Sequence, residues 1–79
     1  KLIASNIHWI SGSEPTNPQL KAKIRYRGVE KSCDIRNLDD NRILVSFKQP
    51  RFAISPGQYV VFYQDNICLG GGLIEHPKN

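Results

Sequence analysis

The sequence predicts an all-β fold, a small closed antiparallel β-barrel of about six strands. Three observations predict it. Apolar and polar residues alternate with period two, most cleanly from Leu20 to Arg27, and no segment carries a helical period. Turn clusters punctuate the chain at short spacing. The chain is only 79 residues long, and closing a sheet that small removes edges that would otherwise lie open.

The elements follow in order. Residues 1–10, KLIASNIHWI, are rich in β-branched and aromatic types, with Ile3, Ile7 and Trp9 at odd positions, and read as a strand. Residues 11–19, SGSEPTNPQ, hold Pro15 and Pro18 among Ser, Gly and Asn and read as a loop. In residues 20–27, Leu20, Ala22, Ile24 and Tyr26 alternate with Lys21, Lys23, Arg25 and Arg27, which puts the apolar groups on one face and the cations on the other. Residues 32–38 place Cys33 and Ile35 inward. Asp39-Asp40-Asn41 turns the chain, and residues 42–47 return with Ile43, Val45 and Phe47 on one face. Pro56-Gly57 suits a type II turn. Residues 58–64, QYVVFYQ, are apolar on both faces. Asp65-Asn66 makes a two-residue hairpin turn in which Asn accepts the left-handed conformation, and residues 67–75 return. Three glycines inside that last strand, Gly70 to Gly72, imply a bulge, a sharp bend or a close approach of another backbone.

Composition bounds the function. Ile, Val, Leu and Phe number 22, which excludes disorder throughout and allows one modest core. No apolar run approaches the ~20 residues of a membrane-spanning helix, so no membrane role is expected. The chain has no Met, which suggests a piece of a longer protein. Its two cysteines, Cys33 and Cys68, form no C-x-x-C and are expected to be reduced, buried, inert thiols; a disulfide between them stays open if the domain is secreted. His8 and His76 stand singly, without the paired spacing of a zinc site and without an identifiable nucleophile, so neither metal nor catalysis is expected of them.

Charge is the informative feature. The net charge is +4, yet residues 20–51 alone carry +5, and the remainder carries −1. The cations of Lys21, Lys23, Arg25 and Arg27 recur at about 6.7 Å along one strand, a ridge about 20 Å long. A plain solvated face would mix its signs. A ridge of one sign suits a polyanion, whose condensed counterions it releases. Candidate RNA-binding residues are therefore Lys21, Lys23, Arg25 and Arg27, then Arg42, Lys48 and Arg51. The aromatic residues of so small a barrel are expected mainly in its core; if any stacks on bases, Trp9 and Tyr63 are the better candidates.

The string PGQYVVFYQDNICLGGGLIE, from Pro56 to Glu75, closely resembles the C-terminal signature of the MnmA-type tRNA 2-thiouridylases, P-G-Q-x-x-V-F-Y followed by C-L-G-G-G-x-I-E. The basic strand AKIRYR at 22–27, HWI at 8–10, Leu38-Asp39-Asp40 and Pro50 also fall in that family's order. The resemblance implies the C-terminal barrel of a multidomain sulfurtransferase, similar to the second domain of elongation-factor-like GTPases. It implies a parent that activates the wobble uridine of certain tRNAs with ATP and Mg, then replaces its 2-oxygen with sulfur relayed through a cysteine persulfide.

The implied partners are tRNA, the catalytic and central domains of the same chain, and a sulfur-donor protein. The implied location is cytoplasmic, or mitochondrial or plastid in a eukaryote. That family's catalytic aspartate and cysteines belong to a domain outside these residues, so the chain itself is expected to be catalytically silent. Phe52 and Ile54 are more apolar than an RNA-facing loop needs and suggest packing on a neighbouring domain. The competing expectation is a bracing barrel that docks on its parent through strand 58–64 without touching RNA. A small autonomous hydrolase built around His8 or His76 ranks last.

Overall fold

In the computed structural model, which describes residues 1–24, 30–48 and 58–77, six antiparallel strands close a barrel. They are β1 (Leu2–Trp9), β2 (Gln19–Lys23), β3 (Lys31–Asn37), β4 (Ile43–Phe47), β5 (Tyr59–Gln64) and β6 (Ile67–Pro77). Around the barrel the order is β1-β4-β3-β2-β5-β6, and β6 pairs back onto β1. Each of these six strands has two hydrogen-bonded neighbours, so among the described residues no sheet edge is left to template association.

The alternating residues meet inside. Leu2, Ile43, Val45, Val60, Phe62 and Ile74 are almost wholly removed from solvent, with Leu20, Ala22, Ile24, Cys33 and Ile35 completing the cluster. Among the described residues Phe62 is the largest side chain fully enclosed, and Trp9 caps it with ring centroids 5.5 Å apart. A ring so placed is part of the packing. Trp9 is therefore not a free platform for bases, in keeping with the expectation that aromatic residues of so small a barrel serve its core.

Strand β1 does not keep one parity. Leu2 and Ala4 face the core cluster, and then Asn6 adopts φ 50° while the pairing with β6 shifts between Ser5 and His8. Beyond this bulge Ile7 and Trp9 pack on the cluster. A left-handed Asn inserts the odd residue that re-aims the strand. The Asn41 side-chain amide donates to the Ile7 carbonyl at 3.3 Å and ties the β3–β4 turn to this bulge. In that turn Asp40 and Asn41 both take positive φ, and the Leu38 N–H donates to the Arg42 carbonyl at 2.8 Å. In the β5–β6 hairpin the positive φ falls on Asp65 (55°), not on Asn66. Asp tolerates that region nearly as well as Asn, so sequence alone could not choose between them.

The glycine run is where three backbones approach. Gly70, at φ 146°, lies opposite Trp9 on one side and Phe62 on the other. A β-carbon there would strike the His8 carbonyl, and one on Gly71 would strike the Val60 carbonyl. The three glycines therefore serve the close approach of β6 to β1 and β5.

Of the expected strand 20–27, Leu20 to Lys23 lie in β2 (Gln19–Lys23). Arg25, Tyr26 and Arg27 lie outside the described residues, as do Pro50, Arg51, Phe52, Ile54 and the Pro56-Gly57 turn.

Candidate nucleic-acid interface

Strand β2 follows its alternation. Leu20 and Ala22 are buried, Lys21 is exposed and Lys23 is half-buried. Its neighbours are β3 and β5, so their outward residues decide what surrounds the two lysines. Lys21 is in register with Ser32 on one side and Tyr63 on the other. The Lys23 ammonium stands over the Tyr63 ring, 5.2 Å from its centroid. At an exposed site such a cation–π contact contributes roughly 0.5–1 kcal/mol, enough to orient the ring.

A third lysine arrives from β4. The backbone N–H of Lys48 donates to the Ser32 carbonyl at 3.2 Å, so Lys21 and Lys48 flank Ser32 from opposite sides. With strands about 4.8 Å apart, their backbones lie about 10 Å from each other. A shallow concavity of about 250 Å³ opens here, with Lys21, Ser32, Lys48, Tyr63 and Gln64 in its wall. A second one, of about 350 Å³, shares Ser32 and Lys48 and adds Lys31. Each also holds one carboxylate, Asp65 in the first and Glu30 in the second. Among the described residues no ion pair involves Lys21, Lys23 or Lys48.

Of the seven cations singled out in the sequence, the fold brings Lys21, Lys23 and Lys48 together. Arg25, Arg27 and Arg51 lie outside the described residues. Arg42 sits elsewhere. It precedes β4 and Lys48 follows it, so six residues at about 3.3 Å each, roughly 20 Å, separate them. Its guanidinium reaches Glu75 at 3.9 Å, and its Nε donates to the Asp39 carbonyl at 3.3 Å. Sequence reasoning did not mark Ser32 or Lys31 for this site. Their place beside Lys21 and Lys48 follows from the β2–β3 and β3–β4 registers, which no single strand reveals.

The thiols divide. Cys33 is buried, and burial, helped by the neighbouring Asp34 charge, pushes its pKa up to about 12, so it stays a neutral thiol. Cys68 is exposed, which corrects the expectation that both are buried. Both are free; β3 and β6 are not neighbours in the barrel. His8 is exposed on β1.

A docking strand at 58–64 is also corrected in part. Val60 and Phe62 are core, so Phe62 offers nothing to a partner. Among the described residues the exposed large hydrophobics are Ile10, Tyr59 and Ile67. Tyr59 opens β5 and Ile67 follows its far end, so the two do not form one apolar patch, and single exposed hydrophobics are ordinary. What the lysine-flanked concavity can do chemically is hold anionic groups and offer one aromatic ring beside them.

Comparison with known proteins gives this surface a context. The aminomethyltransferase β-barrel domain family matches residues 1–74. The tRNA-specific 2-thiouridylase MnmA of Marinomonas sp. (strain MWYL1) is 51% identical over 79 residues, covering 99% of this chain and 20% of the relative. The protein of the same name from Methylococcus capsulatus is 47% identical over 81 residues, covering 99% and 22%. That of Vibrio cholerae is 47% identical over 75 residues, covering 94% and 20%. The chain spans about a fifth of the length of these curated relatives and aligns with their C-terminal part.

Proposed function

The chain belongs to the aminomethyltransferase β-barrel domain family, and from that premise we propose that it is the tRNA-holding barrel of a 2-thiouridylase. It grips and positions tRNA while a catalytic domain elsewhere in the protein carries out the ATP-dependent 2-thiolation of the wobble uridine. The observation that carries this reading is the cluster of Lys21, Lys23 and Lys48 on one outer face, without an ion-paired carboxylate among the described residues. Close lysines facing the same way repel one another in the free protein. Phosphates relieve that repulsion and displace condensed counterions, which favours association.

The barrel's part in the reaction is positional. Holding the RNA fixes where its target base stands relative to a distant catalytic group. ATP with Mg does not fit the described residues. The one glycine run is packed against the His8 and Val60 backbones and leaves no cradle for phosphates, and no helix N-terminus faces it among the described residues. We propose that ATP, the sulfur relay and the sulfur-donor protein belong with the catalytic and central domains that the resemblance implies.

The test is tRNA binding by the 79-residue barrel, read by fluorescence anisotropy at low salt. The wild-type chain should bind, and Lys21→Glu with Lys48→Glu should weaken binding by about 100-fold, the value of roughly two phosphate contacts at 50 mM salt. Absence of wild-type binding at low salt would leave the bracing role in its place.

A further inference from the structure

Resting on that tRNA-holding reading, we infer that the concavity between β2, β3 and β5 seats one unpaired nucleotide, its base against Tyr63 and its flanking phosphates on Lys21 and Lys48. A cationic ridge alone would suit the backbone of a duplex. The ring of Tyr63 changes the expectation, because a duplex keeps its bases stacked inside and cannot present one to a side chain. Aromatic rings set among cations are the arrangement that unpaired strands use.

The geometry supports each part of this seat. Tyr63 faces outward from β5 in register with Lys21, and Lys23 covers the ring at 5.2 Å. That contact holds the side chain in place, so less conformational freedom is lost when a base arrives. Lys21 and Lys48 stand on either side of Ser32, so two successive phosphates can each meet an ammonium group. Asn17, Gln19, Gln64 and the Ser32 hydroxyl belong to the same wall and supply donors and acceptors for a base edge. Asp65 lies in that wall as well, and its charge repels phosphate, which directs the backbone toward the lysines. At about 250 Å³ the concavity is below the roughly 300–1,000 Å³ of whole small-molecule sites, as expected for a shallow seat that takes one ring.

The experiment compares a short single-stranded RNA with the same strand made abasic at its central position, so that phosphates are kept and one base is lost. Wild-type barrel should bind the intact strand about tenfold more tightly than the abasic one, the lower range for one stacked base. Tyr63→Ala should erase that difference, and Tyr63→Phe should keep it. Lys48→Ala should weaken both strands alike. Equal binding of both strands by the wild-type chain, with tRNA affinity intact, would overturn the nucleotide seat and leave the tRNA-holding role standing. Failure to bind tRNA or either strand at low salt would overturn both.

Discussion

The two ends of β4 carry cations with opposite fates. At one end Arg42 meets the Glu75 carboxylate and the Asp39 carbonyl, and its charge is spent within the barrel. At the other end Lys48 joins Lys21 and Lys23, none of which has an ion pair among the described residues. In the sequence these residues look alike, all cations in one basic stretch. The difference lies in which strand each one faces across the closed sheet. A positive residue contributes to an outward field only where its neighbours leave it uncompensated, and those neighbours are set by topology rather than by position in the chain.

That contrast depends on closure, so the largest effect comes from breaking it. Gly71→Val places a side chain where the Val60 carbonyl already stands, at the seam of β6 with β5. The variant should lose its cooperative thermal transition in circular dichroism, and a normal melt would show that the seam tolerates what the geometry forbids.

A smaller effect probes the floor beneath the cationic end, where Cys33 lines the same concavity as Lys21 and Lys48. Its pKa rises on folding from 9.0 to about 12. The neutral thiol is then favoured in the folded state, so its contribution is complete below about pH 9 and falls away as pH rises toward 12. Denaturant midpoints should decline across that window in the wild-type chain and decline less in Cys33→Ala. An identical decline in both would remove Cys33 from the account.

The smallest effect belongs to the compensated end. Arg42→Ala breaks an ion pair whose partners are both partly solvated, and should cost no more than about 1 kcal/mol of stability. It should leave RNA affinity within about twofold, whereas Lys48→Ala should not. Equal losses from the two substitutions would mean that the whole barrel attracts RNA by net charge alone.

Much of this was legible in the sequence. Period two in Leu20–Lys23, the inward Cys33 and Ile35, the return of Ile43 and Val45 and the turn signals specified a small closed antiparallel barrel. The signature from Pro56 to Glu75 pointed to the family that the comparisons establish. What stayed hidden required long-range geometry. The parity change in β1 depends on one left-handed asparagine that propensity does not single out. The pairing of Arg42 with Glu75 joins residues far apart in the chain, and the exposure of Cys68 depends on which face of β6 it takes after the register shift. The cluster around Ser32 was half visible. Lys21 and Lys23 were legible together on one strand face, but the arrival of Lys48 beside them needed the β2–β3 and β3–β4 registers at once.

The most direct measurement is the salt dependence of tRNA binding for the wild-type barrel and for the triple variant Lys21→Ala, Lys23→Ala, Lys48→Ala. If this face grips phosphates, log K falls steeply with log salt in the wild-type chain, and the triple variant loses about 2–3 units of that slope at roughly 0.7–0.9 per contact. An unchanged slope in the triple variant would contradict the claim that these three lysines are the RNA-gripping face.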